Sequence, residues 1–165
     1  MTLASASDLL TYLADLIETL ERYAVTLLPP SDADEVGLEQ EPDGSLVIDL
    51  EGRLPTPRSS KDVDLLLFER WREVDPEAWL CIEYRYELRH HELHYRLALH
   101  RHDEAHFVRH FGVATHEHCE VTMGVETCGH YVGEPVIDAF DAFDRLYGAW
   151  LSDQKPDCSV LQCLG

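Results

Sequence analysis

Apolar residues recur at three- and four-residue spacing between positions 7 and 27, where Leu9, Leu10, Leu13, Leu16, Ile17, Leu20, Ala24 and Leu27 mark one stripe of an amphipathic helix. Ser5 or Ser7 can cap it, and Pro29-Pro30 ends it. After an acidic loop at 31–35, segments 36–40 and 45–50 read as a hairpin turning on Pro42-Asp43-Gly44. Residues 54–60, with Pro55, Pro57 and two serines, read as a linker or loop.

From Val63 the period changes to two. Segments 64–74, 78–89 and 92–102 predict a meander of three strands. In the second, Leu80, Ile82, Tyr84, Tyr86 and Leu88 take one face, answered by Leu93, Tyr95, Leu97 and Leu99 in the third. A tight turn at His90-His91 pairs Leu88 with Leu93 and Ile82 with Leu99. The first strand runs Leu65-Leu66-Leu67-Phe68 without alternation, which leaves its register open. One or two further strands are expected between 113 and 131, broken by Gly124 and Gly129. Pro135 then opens a helix with Val136, Phe140, Phe143, Tyr147 and Trp150 as its apolar stripe. The fold expected is α+β: an antiparallel sheet with an N-terminal and a C-terminal helix packed on one face, leaving the other face free. Residues 1–151 form one domain, comprising an N-terminal helix and hairpin (1–60) and a histidine-rich meander with its closing helix (63–151); 152–165 read as a tail.

Charge changes this picture. Among 165 residues, 32 are Asp or Glu and 13 are Lys or Arg, a formal net charge of -19 that repels phosphate backbones at long range. Any nucleic-acid site must therefore be local. Only Lys61 and Lys155 are lysines, a balance that fits a salt-adapted surface or an acidic partner-binding module. Five cysteines in irregular spacing, and a start without the basic region and apolar core of a signal peptide, point to a reducing, cytoplasmic compartment. No apolar run approaches the roughly 20 residues of a membrane span.

All ten histidines lie between 90 and 130. The meander sets Glu83, Arg85, Glu87 and Arg89 beside His94, Arg96, His100 and His102 on the face opposite the Leu and Tyr core. Ordinary solvation would favour Lys, Thr and Glu there. Imidazole exchanges protons near neutral pH and guanidinium grips phosphate by paired bonds, so this set suits acid–base work on an anionic substrate, with His94, His100, Arg85 and Arg96 binding it. Residues 85–115 hold five arginines and four carboxylates, against three and twelve in 1–60. In Arg101-His102-Asp103-Glu104-Ala105-His106, an acid stands beside two histidines and can orient an imidazole. The strand Thr115-His116-Glu117-His118-Cys119 offers His116 and His118 for proton transfer or, with Cys128 and His130, for zinc. No cofactor is expected in the first reading, and zinc in the second. Cys81 falls on the polar side of its strand, opposite His100, as a spare thiol.

The run Glu83-Tyr84-Arg85-Tyr86-Glu87-Leu88, the strand ending in Arg101-His102-Asp103-Glu104-Ala105-His106, then His116-Glu117-His118 and a closing helix, together resemble the TumE-like toxin family over about 63–151. The resemblance implies a ribonuclease-type toxin of a toxin–antitoxin pair, acting on RNA and held inactive by an antitoxin with a DNA-binding domain; the His and Arg sheet face fits metal-independent cleavage. It places Asp103, His106, His116 and His118 in the family's motif, with Arg85 and Arg96 on the adjoining strands. The family's Asn after the Asp is Glu104 here, its Pro-His is Thr115-His116, and the N-terminal helix and hairpin are extra. His102 or His116 would serve as base and acid and Asp103 would orient an imidazole. The rival readings are the zinc protein using His116, His118, Cys128 and His130, and a non-enzymatic acidic interaction module.

Overall fold

The computed structural model describes residues 2–3, 5–29, 37–76, 78–102, 105, 108–109, 114–119, 128–130 and 136–152, with the backbone alone at 3, 6, 102, 116–119 and 128–130. The chain is α+β, with an antiparallel sheet and a helix at each end, α1 (Ala6–Arg22) and α2 (Ala139–Leu151). Among the described residues the strands are β1 (Thr2–Leu3), β2 (Thr26–Leu28), β3 (Leu38–Gln40), β4 (Leu46–Leu54), β5 (Val63–Asp75), β6 (Ala78–His90), β7 (Tyr95–His102), β8 (Thr115–Cys119) and β9 (Cys128–His130). The sheet runs β2-β4-β5-β6-β7-β8-β9; β3 shares the edge of β4 with β2, and β1 pairs with the start of β6. The expected meander is its centre.

Helix α1 starts where Ser5 accepts a hydrogen bond from the Asp8 amide at 3.2 Å, and stops at Arg22, earlier than its apolar spacing predicts. The amides of Ala24 and Val25 turn back to the carbonyls of Glu21 and Leu20, and Ala24 takes φ +59°. This doubly bonded reversal normally uses glycine, because a Cβ is crowded in left-handed backbone. Ala24 therefore belongs to the helix end, and Leu27 to β2. Helix α2 starts at Ala139 with Asp138 as its cap, which accepts from the Asp141 amide at 2.9 Å. Pro135 lies outside the described residues. The hairpin of β3 and β4 forms as expected, with Gly44 at φ +86° in the turn.

Strand β5 settles the register left open by its leucine run. Val63, Leu65, Leu67, Glu69 and Trp71 are buried toward the helices, whereas Leu66, Phe68 and Arg70 are half-buried on the far face. Strand β6 departs from simple alternation. Arg70 pairs with Glu83 but Trp71 pairs with Cys81, so Ile82 is an extra residue, a β-bulge. The bulge reverses the facing of everything before it. Trp79 and Cys81 join Tyr84, Tyr86 and Leu88 in the core, and the expected core positions Leu80 and Ile82 are only half-buried.

Both helices lie on this core face and meet there, Tyr23 stacking edge-on against Phe143 at 4.9 Å and Tyr12 against Phe140 at 5.6 Å. The 54–60 segment is not an idle linker. Trp150 of α2 donates to Thr56 at 2.9 Å, and the Arg58 guanidinium sits 4.1 Å over its ring.

A carboxylate closes the core. Glu69 is 1% exposed and accepts from Tyr12 Oη and Tyr86 Oη, each at 2.6 Å, and from Trp71 Nε1 at 2.9 Å. The Tyr12 oxygen in turn accepts from the Ala139 amide at 3.1 Å, tying the start of α2 to α1 and the sheet. Burial pushes the Glu69 carboxyl above its usual range, and the three donors only partly oppose this.

Two outcomes follow for stability. Ala24→Gly stabilises the protein by about 1 kcal/mol in urea unfolding, because it relieves the left-handed alanine; an unchanged midpoint would mean the turn carries no strain. A carboxyl raised on folding stabilises most below its unfolded pKa of about 4.3 and loses that contribution as pH rises through the folded value. The stability of the wild type relative to Glu69→Gln therefore falls as pH rises above the unfolded value of about 4.3. A difference that stays flat or grows with rising pH contradicts the assignment.

Candidate functional site

The far face of the sheet gathers its charge around a second buried carboxylate. Strands β6 and β7 pair Arg85 with His100, Leu88 with Leu97, Arg89 with Arg96 and His90 with Tyr95. The connection is a four-residue turn over 91–94, closed by the His94 amide on the His91 carbonyl at 3.2 Å, not a tight turn at His90-His91. Each expected partner is thus displaced by four residues, an even number, so the polar positions of β7 still share a face with Arg85, Glu87 and Arg89. Leu93 leaves the sheet and is exposed. His94 leaves it too, exposed in the turn at φ +49°, so it is not a substrate-binding position on this face.

Glu87 sits at the centre, 1% exposed. Arg96 grips it with two parallel bonds, Nε to Oε2 and Nη2 to Oε1, both 3.0 Å. Arg89 donates from Nε at 2.7 Å and also from Nη2, and Arg85 Nε lies 3.7 Å away. His100 Nε2 is 3.3 Å from Oε1, and since an ionised carboxylate only accepts, this nitrogen carries the proton. Burial pushes the Glu87 carboxyl up, but the bonds from His100 and Arg96 and the charges of Arg96 and Arg89 more than reverse it. The result is a carboxylate held far below its usual range.

The cations around it differ in access. Arg96 and His100 are buried with Glu87, whereas the Arg85 side chain is 46% exposed and Arg89 32%. Arg85 also lies 5.6 Å over the Phe68 ring. The far face is therefore free only in part: it is open over Asp49 and Glu51 of β4 and closed over Glu87, Ala98 and His100.

The other expected site residues distribute unevenly. Arg85, Arg96 and His100 come together on Glu87. His116 of β8 stands in register with His100, and His102 with Glu83, while the description of both stops at the backbone. His118 pairs with Gly129, and Asp103, His106 and His110 lie outside the described residues. Cys81 is not opposite His100. The bulge turns it into the core, where it is 1% exposed and burial pushes its thiol well above the usual range, which suits packing and not nucleophilic attack.

Sequence reasoning counted the cations of this face but missed Glu87 as their common partner. The signal was present as Arg85-x-Glu87-x-Arg89, three alternating positions of one strand. Glu69 was also legible, as the one carboxylate in the series Val63, Leu65, Leu67, Glu69, Trp71.

A depression of about 480 Å³ at the end of the sheet is lined by Arg53, Ser60, Lys61, Asp62, Asp64, His90, His91 and Glu92. Lys61 pairs there with Glu92 at 2.7 Å, and His91 Nε2 lies 3.5 Å from Asp64. His90 is structural: its ring stacks on Trp150 at 5.5 Å and Nδ1 accepts from the Leu93 amide at 3.2 Å. Among the described residues no group of three His, Cys, Asp or Glu side chains converges on a metal position, and no helix is long and apolar enough to cross a membrane.

The chain matches no family model, no curated protein and no solved structure. The likeness to TumE-like toxins rests on its residues alone.

A carboxyl depressed on folding stabilises above its unfolded pKa, about 4.3, and that contribution is lost as pH falls toward the folded value. Glu87→Gln costs about 3 kcal/mol at pH 7, because it removes the charge that buried Arg96 grips. The stability gap to the wild type closes as pH drops below about 4, the reverse of Glu69→Gln. Urea unfolding across pH 3 to 7 reads both, and a gap that widens in acid excludes the ion-pair assignment.

Proposed function

We propose that the Glu87-centred face binds an anionic phosphodiester, with RNA as the substrate class, and cleaves it without a metal. The observation that carries the reading is the ratio of charges. Three arginines and a histidine converge on one carboxylate, and the two most exposed arginines, Arg85 and Arg89, border it. In a chain of net charge -19 this is a local excess of positive charge, the condition a phosphate site requires.

The roles follow from the contacts. Arg85 and Arg89 grip the phosphate and stabilise charge developing on its oxygens. Glu87 stays ionised and acts as a positioning residue: it holds Arg96 and His100 in the buried centre of the cluster and sets Arg85 and Arg89 at its border. His102 of β7 and His116 of β8, whose register positions share this face, supply the acid–base pair for attack by a ribose 2′-hydroxyl and departure of the 5′-oxygen. The proton taken from the 2′-hydroxyl and the proton given to the leaving oxygen balance, leaving a cyclic phosphate. The resemblance to TumE-like toxins supports the same chemistry, and with it an antitoxin partner that silences the protein.

The test uses a fluorescent single-stranded RNA, with and without EDTA, over a range of salt. Cleavage persists in EDTA and yields 2′,3′-cyclic phosphate ends. His116→Ala lowers the rate by about 10²- to 10⁴-fold, and Arg85→Ala weakens binding and reduces the salt slope by about one phosphate contact. A wild type that neither binds nor cleaves RNA at any salt, with variants altered only in stability, makes the cluster a structural ion network and ends this reading.

A further inference from the structure

The register of the last two strands places four metal-ligand residue types together. Strands β8 and β9 pair Glu117 with His130, His118 with Gly129 and Cys119 with Cys128. Side-chain positions in a strand alternate, and directly opposed positions share a face. Glu117, Cys119, Cys128 and His130 therefore occupy one face as two adjacent cross-strand pairs, whereas His118 and Gly129 belong to the other. We infer that this two-by-two set on the β8–β9 strand pair is a zinc site.

The dimensions suit it. Opposed positions have Cβ atoms about 4.5–5.5 Å apart, and positions two along a strand are about 6.7 Å apart. Zinc takes thiolate sulfur at about 2.3 Å and imidazole nitrogen at about 2.0–2.1 Å, so its tetrahedral ligand atoms lie between 3 and 4 Å apart, roughly. Opposed and next-along positions of the two strands thus have the spacing from which side chains of these types can share one tetrahedral centre. Two thiolates with an imidazole are a borderline-soft set, which selects zinc over the hard cations that oxygen ligands prefer.

The register also redraws the set drawn from spacing. His116 and His118 are two apart and share the face opposite to that of Cys128 and His130, so those four positions do not surround one point. Cys119 and Glu117 replace the two histidines. Directly opposed cysteines also meet the Cα separation of a disulfide, about 4.4–6.8 Å. A disulfide would use only one of the two pairs, whereas zinc accounts for the juxtaposition of both. The site is independent of the Glu87 cluster, so loss of one reading leaves the other intact.

The test uses the full chain without a polyhistidine tag, purified under reducing conditions without chelator. Elemental analysis finds about one zinc per chain, and Co²⁺ in its place gives the red d–d bands and near-ultraviolet thiolate charge transfer of a tetrahedral sulfur site. Cys119→Ser, Cys128→Ser and His130→Ala each weaken Co²⁺ binding at least about a hundredfold, while His118→Ala on the other face and Cys81→Ala in the core leave it unchanged. Cys128→His, which keeps a zinc ligand, retains binding, and circular dichroism confirms that each variant is folded. The proposal is overturned if the reduced wild type holds no zinc and shows no thiolate charge transfer. It is equally overturned if His118→Ala abolishes binding as fully as His130→Ala, or if mass spectrometry finds a Cys119–Cys128 disulfide whose reduction yields no metal binding.

Discussion

The bond network on Glu69 is the interaction on which the layered arrangement depends. It joins Tyr12 of α1, Trp71 of β5 and Tyr86 of β6, and through the Tyr12 oxygen it reaches the first amide of α2. Apolar contact alone would press two amphipathic helices onto a sheet face without fixing their rotation or height, because burial is not directional. Four directed bonds at one point do fix them. Their cost is a carboxyl buried in the core, which raises its pKa.

A second buried carboxylate stands on the neighbouring strand and the opposite face. Glu69 is surrounded by neutral hydroxyl and indole donors, and Glu87 by guanidinium and imidazole. The chemical group is the same and burial raises both, but only the guanidinium and imidazole around Glu87 are enough to reverse the shift. The sheet thereby separates a structural acid on its core face from an electrostatic one on its far face. Because Tyr86 bonds Glu69 and Glu87 follows it in the chain, the packing of the core also fixes where the charged cluster lies.

How much of this the sequence disclosed depended on whether a residue obeyed its local period. Strands β6 and β7 and the hairpin of β3 and β4 were legible because apolar and polar residues alternate through most of their length. The facing of Leu80, Cys81 and Ile82 was not, since one inserted residue reverses parity and no composition marks where the ladder slips. His94 was misplaced because a turn of four residues preserves the alternation that a turn of two predicts, so pattern alone cannot tell them apart. The helix end at Ala24 was hidden by an alanine standing where glycine is expected. On the far face, Arg85, Arg96 and His100 were each singled out as candidate substrate contacts. Their dependence on Glu87 was not, because a charge count along the chain is blind to which carboxylate the folded face brings among its cations.

Salt acts on this surface in two opposed ways. Asp49 and Glu51 of β4 lie two strands from Arg85 and Glu87, about 10 Å at ordinary strand spacing, which is close to the Debye length at physiological ionic strength. At lower salt the field of these acids, and of a chain carrying a net charge of -19, extends over the cluster and opposes the approach of any polyanion. At higher salt the acids are screened, but so are the exposed guanidiniums of Arg85 and Arg89, and phosphate contacts weaken through counterion competition. The buried core of the cluster, Glu87 with Arg96 and His100, is shielded from both effects because solvent ions do not enter it. Salt thus modulates the field over the face while leaving its scaffold intact.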